Sequence, residues 1–217
     1  MKKSISLLTK QSRFELLSIL NDCFPNPKSE LDFTNPYELL CAVVLSAQAT
    51  DESVNKVTPK LFAIAPTPEK MILLGQVNIA NYIKTIGLWR AKSANLEKLS
   101  KILVEKFSSI VPDNYADLIL LPGVGSKTAK VVLNVAFGQP TIAVDTHIFR
   151  VSNRTGFCLG KDAKEVENNI VDLVDDEFKL QAHHLFLLHG RYVCKSRNPM
   201  CMNCKLASIC KQNGLEK

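Results

Sequence analysis

The chain of 217 residues contains no run of about 18 apolar residues, so nothing in it reads as a membrane span. The opening Met1-Lys2-Lys3 turns polar by Thr9-Lys10-Gln11, too soon for a secretory apolar segment, and a cytoplasmic protein without a membrane partner is expected. There is no internal repeat, no low-complexity tract and no Gly/Ser-rich linker, which argues against solenoids and flexibly tethered modules. Strand-like alternation is scarce. No H-E-x-x-H occurs, and His183, His184 and His189 are not spaced as i, i+4 ligands, which excludes the common helical zinc-hydrolase pattern.

What is present is helical periodicity. Phe14, Leu17 and Leu20 follow Thr9 on a helical face that stops at Pro25. Asn35-Pro36-Tyr37-Glu38 supplies an N-cap, a proline at the first helical position and an acid at the third. Thr67-Pro68 opens a segment ended by Gly75, and another runs from Ile79 towards Gly87. Leu96, Leu99, Leu103 and Phe107 share a face over about 90–107, and Asp162 to Glu165 reads as a capping box. Pro59 predicts a kink or a late helix start. The expected fold class is all-α with roughly ten helices. Hydrophobic content of 46% and charged content of 22% suit a packed globular chain, and the net charge of +6 suits a polyanionic partner.

Three local patterns carry chemistry. Seven cysteines are present, and Cys194, Cys201, Cys204 and Cys210 form C-x6-C-x2-C-x5-C. In a reducing compartment such crowding points to metal, and four thiolates can hold either a tetrahedral zinc or a four-iron cluster. Cys23, Cys41 and Cys158 receive no role, Cys41 being a small core residue of an apolar helix. Around the cluster stand Arg191, Lys195, Arg197, Lys205, Lys211 and Lys217 against Glu216 alone, a basic edge suited to phosphate or to a solvated surface.

The second pattern is Leu121-Pro122-Gly123-Val124-Gly125-Ser126-Lys127-Thr128 between helical segments. A P-loop needs Gly-Lys-Ser/Thr in succession after a strand, and a dinucleotide fingerprint also needs a preceding strand; neither condition is met. The remaining reading is a helix–hairpin–helix at about 114–137. Its Gly turn hands free backbone N–H groups of the second helix to a phosphate. Lys127 falls in the first turn of that helix, where a cation sits in an unfavourable field; it is a candidate nucleophile or a phosphate partner. The third pattern is Val144-Asp145-Thr146-His147. Asp145 is a candidate N-cap, and equally a carboxylate able to stabilise a cationic transition state.

Together with Leu45-Ser46-Ala47-Gln48-Ala49-Thr50-Asp51, Ile86-Gly87-Leu88 and His189-Gly190-Arg191-Tyr192, these patterns resemble the iron–sulfur type of the helix–hairpin–helix DNA glycosylase superfamily over nearly the whole chain. The resemblance implies two helical lobes with a DNA-binding cleft between them. One is a six-helix barrel at about 29–139. The other is an iron–sulfur lobe formed by 1–28 plus 140–217. It implies a [4Fe-4S] cluster on the four clustered cysteines, deciding the metal towards iron. It implies Lys127 and Asp145 as catalytic residues of a bifunctional base-excision glycosylase and abasic-site (AP) lyase. The substrate is duplex DNA carrying oxidised or ring-saturated pyrimidines, or abasic sites. Gln48 matches a residue that fills the gap left by a flipped base, and Leu88 a wedge between the opposite bases. Gly123, Val124, Gly125, Thr128, His147 and Arg191 complete the expected DNA contacts. A nucleoid-associated bacterial monomer is expected. A monofunctional adenine glycosylase of the same fold usually lacks the lysine and carries a longer C-terminal region. A non-enzymatic iron–sulfur DNA-binding module gives Lys127 and Asp145 no joint purpose.

Overall fold

The computed structural model describes residues 5–215; the terminal residues 1–4, 216 and 217, which include the basic Lys2, Lys3 and Lys217, lie outside them. The described residues form helices and no strand, as the periodicity predicts. They divide into two compact units, 29–138 and 1–28 with 139–217.

The chain enters through α1 (Lys10–Cys23), capped by the Thr9 hydroxyl, which accepts from the Ser12 N–H. It then builds the 29–138 unit around α2 (Pro36–Ser46). Every residue of α2 from Tyr37 to Leu45 is buried, as a helix that is apolar all round requires. Asn35 caps it, and the Glu38 carboxylate reaches back to accept from the Thr34 N–H at 2.7 Å. Pro59 does not kink a helix; it divides one into α3 (Asp51–Asn55) and α4 (Thr58–Ile64) and lies in the first turn of the latter. That is the position where a missing N–H costs nothing.

Helix α5 (Pro68–Ile83) is broken internally at Gly75, whose φ of 74° lies outside the helical region. It packs along α6 (Trp89–Phe107), which contributes Leu96, Leu99 and Leu103 to the core. A short α7 (Tyr115–Leu118) and α8 (Ser126–Phe137) close this unit. The sequence predicts a longer α7, reaching Leu121, but the chain leaves the helix at Ile119 and tightens into turns that carry it to the hairpin.

The second unit has its own core of Leu16, Leu17, Leu20, Ile148, Val151, Phe157, Leu185 and Phe186. Phe157 and Phe186 meet edge to face at 4.9 Å between ring centroids. Its helices are α1, α9 (Thr146–Thr155), α10 (Ala163–Ile170) and α11 (Ala182–Tyr192). The capping box at α10 forms as read: Asp162 accepts from the Glu165 N–H and Glu165 from the Lys161 N–H, both at 2.9 Å. The last helix begins at Ala182 and not at Phe178, because residues 176–178 wind as a separate 3₁₀ turn.

Candidate functional site

In the 29–138 unit, α7 and α8 are joined by a hairpin turn over 119–125. Gly123 has φ 84°, and a Cβ there would stand 2.9 Å from Asn95 Nδ2 and 3.1 Å from Val44 Cγ1. Only glycine satisfies both the dihedral and the contact. Val124 is buried and its N–H bonds to the Leu121 carbonyl at 3.0 Å, which tightens the turn. Gly125 sits at the cap of α8 without a side-chain oxygen to occupy the first N–H groups. Lys127 is exposed in the first turn of α8 and Thr128 is half-buried beside it.

Four non-glycine residues described in this unit have left-handed backbones that such residues rarely adopt: Ser108 and Ser109, which follow the end of α6, and the two residues expected to meet DNA, Gln48 at φ 54° and Leu88 at φ 59°. Both side chains are exposed, Leu88 by 56%. Their loops are neighbours, since a Cβ on Gly87 would lie 3.7 Å from the Gln48 carbonyl oxygen. An apolar side chain held out in solvent on a strained backbone is a functional signature.

In the other unit, Asp145 is the N-cap of α9. Its Oδ1 accepts from the N–H groups of His147 and Ile148 at 2.9 and 2.8 Å, and its Oδ2 pairs with His147 Nδ1 at 2.9 Å. Capping and carboxylate chemistry are therefore compatible: one oxygen holds the helix while the other faces a ring nitrogen. His147 packs against Gly190, where a Cβ would come within 2.8 Å of the His147 Cβ. That close approach of α9 and α11 places Arg191, half-buried, one residue further along.

The four clustered cysteines line one small cavity with Arg154, His189, Val193 and Leu206. Two arginines that sequence reading left without a role organise this loop. Arg150 donates to the Cys194 carbonyl at 2.9 Å and to the Gly190 carbonyl at 2.8 Å. Arg154 donates to the Lys195 and Ser196 carbonyls at 2.6 and 3.0 Å, and to Cys194 Sγ at 3.7 Å. Burial raises the Cys204 and Cys210 thiols above their ordinary values; a bound cation would reverse that by favouring thiolates. Burial also pushes His189 down to about 4, and its Nε2 lies 3.8 Å from Cys204 Sγ. Lys195, Arg197, Lys205 and Lys211 are exposed around the loop. Of the remaining cysteines, Cys41 is a core residue whose thiol burial pushes up to about 12, Cys158 is buried and Cys23 exposed.

A helical hairpin with a glycine turn, an exposed lysine at the start of its second helix and a four-thiol loop among cations make the arrangement of a helical DNA-handling protein. The HhH-GPD model, described as the HhH-GPD superfamily base excision DNA repair protein, matches residues 41–175. Endonuclease III of Escherichia coli (strain K12) is 52% identical over 204 residues, spanning 94% of this chain and 97% of that protein. Endonuclease III of Haemophilus influenzae is 50% identical over the same shares. Among solved structures, a trapped endonuclease III–DNA covalent intermediate superposes with a TM-score of 0.89 at 44% identity, covering 95% of this chain and 98% of that one. A thermostable thymine-DNA glycosylase superposes with 0.83 at 25% identity, covering 94% and 97%. The chain belongs to the HhH-GPD superfamily of base excision DNA repair proteins.

Proposed function

We propose that the protein is a bifunctional DNA glycosylase and AP lyase of the endonuclease III kind, acting on oxidised or ring-saturated pyrimidines and on abasic sites in duplex DNA. The observation that carries this reading is a primary amine in the first turn of a phosphate-binding helical hairpin, in a chain half identical to endonuclease III.

The chemistry follows from the residues. The sugar C1′ is inaccessible inside the base stack, so the damaged nucleotide must rotate out. Gln48 occupies the gap and Leu88 enters between the bases opposite; the strained, exposed backbones of both support these roles. The hairpin residues Gly123, Val124, Gly125 and Thr128 hold a backbone phosphate, and His147 and Arg191 are further DNA contacts. The Lys127 amine attacks C1′ and the base leaves. Asp145 stabilises the positive charge that develops on the sugar. The resulting Schiff base acidifies the C2′ proton, and β-elimination breaks the strand 3′ to the site.

Cys194, Cys201, Cys204 and Cys210 would hold a [4Fe-4S] cluster, which stabilises the loop and lies outside the glycosidic chemistry. All four thiols line one small cavity, and a thiolate-rich donor set of this kind suits such a cluster. Among the described residues no helix is long and apolar enough to cross a membrane. The substrate places the protein on chromosomal DNA in the bacterial cytoplasm.

Borohydride trapping on a duplex with one thymine glycol tests the reading. Wild type is expected to give a covalent protein–DNA adduct and Lys127→Ala none. Base release by wild type without any adduct would refute the lyase and leave a monofunctional glycosylase.

A further inference from the structure

Asp145 does more with its carboxylate than cap α9. A cap needs one acceptor oxygen, and Oδ1 already accepts from the N–H groups of His147 and Ile148. The contact of Oδ2 with His147 Nδ1 at 2.9 Å is surplus to that duty. An ionised carboxylate only accepts, so the ring carries its proton on Nδ1 and donates it to Oδ2. The Asp145 side chain is 12% exposed, and a hydrogen bond so sheltered from water holds its partner more firmly than one at the surface.

The ring is itself held in place. Gly190 lies inside α11 without a left-handed backbone, where glycine weakens a helix. Contact accounts for it: a Cβ there would come within 2.8 Å of His147 Cβ and 3.2 Å of His147 Cα. Arg150, further along α9, fastens the same point by donating to the Gly190 carbonyl at 2.8 Å. Helices α9 and α11 are thereby locked together at the level of the imidazole. The tautomer also limits what the ring can offer DNA. With Nδ1 as donor, the neutral imidazole presents Nε2 as an acceptor, which has no proton to give a phosphate oxygen. The arrangement is built around Asp145 and not around a phosphate.

We propose that His147 is a positioning residue for base release: its Nδ1–H, held by the packing of α9 on Gly190, sets the direction of Asp145 Oδ2 towards the sugar whose positive charge that oxygen stabilises. The proposal rests on the glycosylase reading above and deepens it. Without the ring the cap remains, but Oδ2 loses the donor that orients it. Electrostatic stabilisation of a transition state depends on such orientation being fixed in advance. The dependence belongs to one step. Base loss generates the sugar cation, whereas a preformed abasic site is an aldehyde that the Lys127 amine attacks without that charge.

The test uses the full chain with its cluster in place, a duplex with one thymine glycol and a duplex with a preformed abasic site. Single-turnover base release and strand cleavage are measured beside salt-dependent binding to a tetrahydrofuran abasic analogue. His147→Leu is expected to slow base release about tenfold or more and to slow cleavage of the abasic duplex much less. Asparagine places its amide nitrogen where Nδ1 stands, and glutamine carries it one bond further out. His147→Asn is therefore expected to recover most of the base release that His147→Leu loses, and His147→Gln to recover little. Should His147→Leu melt well below wild type, the comparison of the two amide variants decides. Equal base release in those two, or parallel losses of base release and abasic-site cleavage, would overturn the positioning role while leaving the repair reading intact. A drop of about 0.9 in the slope of log K against log salt in His147→Leu would overturn it too, by making the residue a phosphate contact. Wild type that releases no base would overturn the glycosylase reading and the positioning role together.

Discussion

At the scale of single residues, the cap that Asp145 makes and the catalytic role proposed for it are separable by substitution. As the N-cap of α9 it accepts from two backbone N–H groups through Oδ1. An asparagine offers the same acceptor and caps a helix about as well. Asp145→Asn is therefore expected to keep a melting temperature close to wild type. It should nonetheless lose glycosylase activity by about 100-fold or more, if charge stabilisation of the sugar is worth the 3 kcal/mol or so typical of preorganised electrostatics. Asp145→Ala removes the cap as well and should cost about 1 kcal/mol of stability in addition. Thermal melts paired with single-turnover base release read the two effects apart. Full activity in Asp145→Asn would reduce this residue to a cap.

At the scale of elements, the hairpin shows what a sequence displays and what it hides. Capping residues act on N–H groups two or three positions away, so Asn35, Thr67 and Asp162 announce their helices directly. Gly138 and Gly156, both left-handed, close α8 and α9. Glycine spacing likewise marks the turn before α8. The sequence does not show why Gly123 must be glycine, because the obstructing Asn95 lies on α6 and Val44 on α2. Nor does it show Arg150 and Arg154 bracing the cysteine loop, since those bonds span about forty residues. The left-handed states of Gln48 and Leu88 are tertiary outcomes too; local propensity predicts neither. Substituting Gly123→Ala forces a Cβ into Asn95 at a dihedral alanine resists. A loss of at least 1 kcal/mol is expected, with weaker binding to any duplex, damaged or not, because the hairpin reads phosphate and not sequence. Chemical denaturation and a salt titration of DNA affinity measure both; a variant as stable as wild type would mean the turn can relax away from α6.

At the scale of the whole molecule, the two units are expected to respond differently to acid, because the histidines are confined to one of them. All four histidines fall between positions 147 and 189, inside one unit, and the 29–138 unit contains none. His184 on α11 is buried and stands edge to face with His183 at 5.0 Å. Burial lowers its affinity for protons below that of an ordinary histidine. The unfolded chain then binds more protons than the folded one once pH falls below about 6.5. The stabilisation from a neutral His184 is complete above that pH and is lost as pH falls towards the depressed folded value. Each unit of depression is worth about 1.4 kcal/mol. Between pH 7 and 5, amide protection is accordingly expected to drop first in α1, α9 and α11, while α2, α6 and α8 keep theirs. His184→Phe, which cannot take up the proton, should flatten this dependence if its ring is accommodated at neutral pH. Hydrogen exchange followed by mass spectrometry across that range tests it. A uniform loss of protection in both units, or an unchanged slope in a folded His184→Phe variant, would place the acid sensitivity elsewhere.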